Sequence, residues 1–568
     1  MNLLRPITPP YDALEWQQKP FSQKCPLVCQ AWAVQGYGTP TAVYGFYLAK
    51  VIFYVGMWLF FCSFTPGLGG LKSISTWWLE PIAFQKAALW SIVFEGLGLG
   101  CGSGPLAGRY FPLIGGCLYF LRHGTTKVPL FPGLPLLGGF RRSWLDVVLY
   151  AAHNVFLVRA LVSSELTPGL LVPTVVLLPL LSLSDKTLFL VARGEHYFSL
   201  VVCFLFAGDW IVGAKCGGLA IWFWAAFSKL NRHFPSVISV MVSNSPVFRS
   251  RWLRRRMYRD FPHDLRPSRT AELLSYGGTV IEFAFAALLA AGSGGWMTTL
   301  GLAMMLLFHI YVTFNVPMGV PIEWNVFVVY AGFFLFGAQS HASLFGIHSP
   351  ILAAYLIVAL VLVPLLGNLF PDKVSFLLSM RYYAGNWPYS VWLFRGQSVG
   401  KLDAHLVKSS GLVLDQLKRF YDEKTAVGML GRVIAFRQMH LHGRALQILL
   451  PKAVDRIEDY EYLDGELVAG IVLGWNFGDG HLHDERLLEA VQKQCAFEEG
   501  ELRCIFVESQ PFGRPWLHWR IADAKSGRLE EGRLAIPRLL TLQPWESSEP
   551  PPSEPAFAAV GERPSIAV

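Results

Sequence analysis

Three ionisable side chains stand in apolar surroundings: Lys229 in "WFWAAFSKLNRHF", Glu282 in "YGGTVIEFAFAALLAA" and His309 in "AMMLLFHIYVTFN". Charge inside an apolar segment is expensive, so each is a candidate for proton chemistry. Glu282 lies near the middle of its segment, where a carboxyl is protonated, paired or facing a wet cavity. His309 lies in the next segment. The short link "GSGG" makes the two helices antiparallel neighbours, so Glu282 and His309 can face one another. Such a pair either ties two helices together or handles a proton. Lys229 has two readings as well. A lysine at a helix end snorkels to the interface; alternatively, Trp222, Trp224 and Phe227 desolvate the amine and favour a form that accepts a proton.

Other candidates are weaker. Asp146 and Arg159 lie near opposite ends of one apolar segment and can reach the interfaces, and His153 lies between them. Glu95, in "SIVFEGLGLGCGSG", precedes alternating glycines that permit close helix approach or a flexible exit; no Gly-Lys-Ser/Thr follows, so they are not a phosphate loop. His481 and His483 in "FGDGHLHDERLLEA", and His440 and His442 in "MHLHGR", repeat a His-x-His spacing. Each pair supplies half of a metal site at most; a solvated loop is the favoured reading for "GHLHD", with Asp484 capping the helix that follows, and no metal is assigned. The nine cysteines are scattered, without a CxxC pair or a disulfide framework.

The elements that must hold these groups are membrane helices. The chain of 568 residues is 53% apolar and 15% charged, against roughly 25% charged in soluble domains. Of its 40 acidic residues, 26 fall in the last 198, dividing a long membrane part from a soluble one. Apolar stretches long enough to span lie at about 41–63, 84–100, 143–163, 168–184, 271–291, 297–317, 321–339 and 350–370. The stretch 197–230 is interrupted by "GDW" and crosses once or twice, so the total is eight to ten, with ten the more consistent count. The loop 231–270 carries nine arginines against two acids, which places it in the cytoplasm. Four further spans return the C-terminal part to the same side. Nucleic-acid binding is not expected, because topology already accounts for this charge. No cleavable signal peptide is visible in "MNLLRPITPPYDALEW".

The fold class expected is an all-α polytopic membrane domain with a C-terminal cytoplasmic α+β domain. Residues 1–40 form an N-terminal cytoplasmic or interfacial segment, 41–370 the membrane domain, 371–400 an interfacial aromatic and basic segment, 401–543 the soluble domain, and 544–568 a disordered tail. Within the soluble domain, "ELVAGIVLGWNF" and "ELRCIFVES" read as strands, "DERLLEAVQKQC" as a helix, and "WLHWRIADAKSGRLEEGRLAI" as a hairpin.

Residues 140–340 resemble the vitamin K-dependent gamma-carboxylases and the related horizontally transferred transmembrane (HTTM) proteins. The resemblance rests on "IWFWAAFSKLNRHF", on "LPLLSLSDKTLF" with Asp185 in an acidic position, and on "LLSYGGTVIEFAFAALL" followed by "LLFHIYVTFNVPMGVPIEWNVFVVY". It implies that Lys229 is a base acting on a lipid-soluble weak acid, with a reduced quinone as cofactor. It also departs from those carboxylases: their histidine in the helix before the acidic segment has no counterpart in "PGLLVPTVVLLPL". His153, one helix earlier, takes that role only if packing brings it near. The whole chain also resembles a family of bacterial integral membrane proteins. The expectation is therefore a multi-pass protein of the inner (plasma) membrane. It acts as an enzyme on a lipid-soluble or membrane-proximal substrate, with Lys229 as base and Glu282 and His309 as companions. The rival is a non-enzymatic lipid carrier, transporter or scaffold, to which a broken helix near 208–216 would supply a binding site.

Overall fold

The structure is a computed structural model that describes residues 3–100, 115–247, 250–315, 322–375, 377–475 and 480–545. The later part of the glycine-rich exit expected after Glu95, from residue 101, and most of the proline-rich tail lie outside the described residues. The chain is mostly helical, with a small sheet in its C-terminal part.

The helices that position the candidate residues are α1 (Phe21–Gln35), α2 (Thr41–Cys62), α3 (Pro81–Gly96), α4 (Trp144–Leu161), α5 (Pro168–Ser184), α6 (Trp210–Lys229), α7 (Phe234–Asn244), α8 (Arg269–Ala291), α9 (Gly295–Asn315), α10 (Ile322–Gly332) and α11 (Pro350–Leu369). Among the described residues, six are long and apolar enough to cross a membrane: α2, α4, α6, α8, α9 and α11. Three shorter apolar helices accompany them: α5, α7 and the segment Ile322–Ala338 that begins with α10. α3 is buried along almost its whole length, so protein rather than lipid surrounds it.

Local chemistry sets the helix ends. Ser143 and Asp146 form a reciprocal capping box at the start of α4, and Ser268 accepts from the Ala271 N–H to start α8. The break expected at "GDW" is real: the preceding helix stops at Phe204 and α6 starts at Trp210. Asp209 accepts from the N–H groups of His348 and Ser349 and from His348 Nδ1, so the broken helix is lashed to the start of α11. Gly301 lets α9 approach α8 closely, since a Cβ there would lie 3.0 Å from the Leu289 side chain.

The sheet is antiparallel. Its strands are β1 (Tyr389–Arg395), β2 (Tyr460–Asp464), β3 (Leu502–Val507), β4 (Trp516–Asp523) and β5 (Gly527–Ala535), in the order β2-β1-β3-β4-β5. The hairpin β4–β5 and the strand β3 form where the sequence placed them. Two expectations need correction. "ELVAGIVLGWNF" is not a strand: Gly465–Leu473 is helical, because Asp464 accepts from the Glu466 and Leu467 N–H groups and Gly474 closes the helix in the left-handed region. Periodicity cannot separate a short buried strand from a short buried helix. Residues 371–400, expected at the membrane interface, contain β1, whose first six residues are buried between β2 and β3. Its alternation is hidden because both faces are covered.

The helix Leu441–Ala453 packs on the sheet, and Glu423–Met439 packs against that helix in turn. α1 packs against Glu423–Met439, so the N-terminal segment and the C-terminal part share one core containing Trp32, Val28, Phe436 and Met439. α7 joins that core through Val237, Val240 and Val242.

Candidate functional site

Lys229 is the last residue of α6 and Glu282 lies midway along α8. The two helices pack side by side, and Lys229 Nζ donates to Glu282 Oε2 in an ion pair. Lys229 is 6% exposed and Glu282 3%. The lysine therefore turns inward instead of reaching for an interface. Its Nζ lies 5.0 Å from the ring centre of Phe308 and 5.6 Å from that of Phe234, and Phe227 stacks on Phe512 at 4.0 Å. An ion pair walled by aromatic rings is poorly screened, so moving its proton changes the local field strongly. Ser228 Oγ, buried next to Lys229 in the chain, has no hydrogen-bond partner among the described residues.

His309 bonds to neither member of the pair in this structure. Trp222, two turns before Lys229 on α6, donates Nε1–H to His309 Nε2 at 3.1 Å. An indole can only donate, so that nitrogen accepts and the ring proton sits on Nδ1. Nδ1 lies 3.0 Å from Asn325 Oδ1, Asn325 Nδ2 donates to Thr313 Oγ1 at 3.1 Å, and Thr313 donates to the His309 carbonyl at 2.7 Å. The ring closes on itself with the imidazole neutral. His309 thus anchors Trp222 and links α6, α9 and α10.

Trp222 also borders a small apolar cavity of about 40 Å³, with Ile221, Trp324, Phe327 and Leu335 among its other walls and His196 at its rim. That space holds water-sized guests. A quinone ring does not fit it as it stands.

The remaining sequence candidates are dispersed. Asp146 is fully buried and pairs with Lys127 at 2.7 Å, which anchors the start of α4, whereas Arg159 is exposed. Asp185 pairs with Arg142 at 2.8 Å, and Arg142 reaches the carbonyl of Leu473 in the C-terminal part. His153 is buried in α4, which packs on α3 and α5; among the described residues no bond or ring contact joins it to Lys229. Glu95 meets Arg193 at 3.5 Å. Lys50 pairs with Glu323 at 3.1 Å, a further charge pair, neither member of which is among the sequence candidates. The signal was present: Lys50 is the lone charge in the first apolar stretch.

The two His-x-His pairs do not lie in solvated loops. His440, His442 and His483 are buried, and His483 Nδ1 lies 2.8 Å from Ser390 Oγ. Burial pushes His440 and His481 down to about 3 and His442 well below its ordinary value. Asp484 does cap the following helix, accepting from the Arg486 N–H at 2.9 Å. Among the described residues no group of three His, Cys, Asp or Glu side chains could hold a metal ion.

Comparison with known proteins gives one family. Its profile, described as transmembrane protein of unknown function (DUF3556), matches residues 1–556. No curated protein and no solved structure matches the chain. Bundle, apolar spans and profile agree over almost the whole length, and the chain belongs to this family of transmembrane proteins.

Proposed function

We propose that the chain is a multi-pass membrane enzyme in which Lys229 is the base for a lipid-soluble or membrane-proximal weak acid and Glu282 holds and returns the proton. The buried Lys229–Glu282 pair carries this reading. Proton transfer from ammonium to carboxylate leaves a neutral amine and a neutral acid, a state that aromatic surroundings favour over separated charges. His309 is a positioning residue, since its ring nitrogens are committed to Trp222 and Asn325. The resemblance of 140–340 to the gamma-carboxylases and HTTM proteins supports the same lysine, and the missing histidine counts against protein-glutamate carboxylation as the reaction.

Loop contacts support ten crossings. Residues 119–142 bond to the C-terminal part through Tyr119 to the Val472 carbonyl and Arg141 to Gln494, and 231–268 through Leu265 to Gln543. On the other side, Thr65 bonds the Ser164 carbonyl, and Asp209 bonds His348. Two crossings then fall between 41 and 119, four between 143 and 230 with 186–204 counted as one, and four between 269 and 370. The arginine-rich loop supports a cytoplasmic placement of the C-terminal domain, and with it a plasma-membrane location.

Lys229→Arg tests the base. Arginine keeps the positive charge beside Glu282 and does not release its proton. Lipid extracts are compared between cells carrying wild type, Lys229→Arg and Glu282→Gln at equal protein levels. The expected result is a lipid-soluble species altered in both variants. Extracts of Lys229→Arg identical to wild type remove Lys229 from the chemistry. A carrier would instead show uptake that collapses with the proton gradient and with Glu282→Gln.

A further inference from the structure

A groove of about 390 Å³ lies between α2, α3, the short helix Ile74–Trp77 and α10, lined by Tyr54, Trp58, Trp78, Ala87, Val326 and Tyr330 among others. Its volume falls within the ~300–1,000 Å³ of small-molecule sites. The walls are aromatic, yet their polar tips are already used. Trp58 Nε1 donates to the Ala83 carbonyl at 3.0 Å, Tyr330 to the Trp78 carbonyl at 2.7 Å, and the Tyr54 hydroxyl bonds Ser91. An occupant therefore meets mainly ring faces and methyl groups, because the polar tips of Tyr54, Trp58 and Tyr330 are spent within the protein.

The ends of the groove differ. Lys50, Tyr54 and Trp58 are four residues apart and share one face of α2, spanning about 12 Å at 1.5 Å per residue. The ion pair Lys50–Glu323 stands one turn beyond Tyr54 and sets the limit for an apolar guest. At the opposite end Ser75 is exposed, with Lys72 exposed on the preceding turn. α2 keeps most of its surface outside the protein, and on the groove itself Val55, Trp58, Val326 and Tyr330 are only half-buried, so the groove opens on the surface beside a membrane span.

We propose that this groove binds one hydrocarbon chain of a bilayer lipid, with the polar head at the Lys72–Ser75 mouth and the chain running along Trp58 toward Tyr54. The site is independent of the Lys229–Glu282 pair.

A phospholipid carrying a photoreactive diazirine in its acyl chain tests this on the full chain in lipid nanodiscs. After irradiation and proteolysis, label is expected to concentrate on peptides containing Trp58, Trp78 and Val326. Ser75→Trp, which obstructs the mouth, and Ala87→Phe, which fills the floor, should each lower that label at least fivefold while label around the exposed Leu307 of α9 stays constant. Ser75 is exposed, so Ser75→Trp decides the matter if Ala87→Phe fails to accumulate. Equal label density at the groove and around Leu307, or groove label unchanged in Ser75→Trp, overturns the site and leaves only annular lipid.

Discussion

At the scale of single residues, the Lys229–Glu282 pair has a structural role whatever its chemistry. Removing one partner of a buried pair leaves the other charge uncompensated, at a cost of about 3–5 kcal/mol. Removing both leaves an apolar contact between α6 and α8. Lys229→Met and Glu282→Leu are therefore each expected to lower the melting temperature of the detergent-solubilised protein strongly, and the double variant to recover much of the loss. Additive losses would mean that the two side chains do not depend on each other. Legibility at this scale was uneven. Lys229, Glu282 and His309 stood out because charge in apolar sequence is rare, and the structure joins the first two. The commitment of His309 to Trp222 could not be read, because the donor lies 87 positions away and nothing local marks it.

At the scale of elements, the ends of strands and helices hold the titratable groups of the C-terminal part. Glu508 follows β3, is buried, and accepts from the Ser509 N–H at 3.0 Å. Burial pushes its carboxyl up to about 7 from 4.5, with Arg381 and Arg520 opposing. An acid whose folded pKa is raised binds more protons in the folded state between those two values. Its destabilisation is full above about pH 7 and is relieved as pH falls toward 4.5. Glu508→Gln should thus raise stability above pH 7, by roughly 3 kcal/mol at most, with the gain vanishing near pH 4.5 in melts across that range. The buried histidines act in the opposite sense: His440 and His481, held neutral, contribute stability above about pH 6.5 that is lost in acid. Elements with local signals were legible, among them the β4–β5 hairpin turning at "KSG" and the Asp484 cap. The helix Gly465–Leu473 was misread because its β-branched, apolar run suits a strand and only the Asp464 cap and Gly474 tip the balance.

At the scale of the molecule, contacts between distant loops argue for the proposed ten-span order. Single cysteines placed at Gly67, Glu165 and Ser343 should react with a membrane-impermeant maleimide from outside intact cells, and cysteines at Lys452 and Arg528 only after permeabilisation. Labelling of Glu165→Cys only after permeabilisation would break the ten-span order. Membrane class was plain from composition and the long apolar stretches alone. The union of both chain ends in one core was not, because amphipathic pattern shows that a helix has a partner without saying which.

That union has a consequence in time. Arg432 bonds the Tyr37 carbonyl across 395 positions of sequence. At about 5–20 residues per second, the ribosome needs roughly 20–80 s to deliver Arg432 after Tyr37 has been made. Trp32 and Val28, buried in the finished protein, lack their core partners Phe436 and Met439 throughout that wait. The helix Phe21–Gln35 is thus made long before the core that buries it is complete.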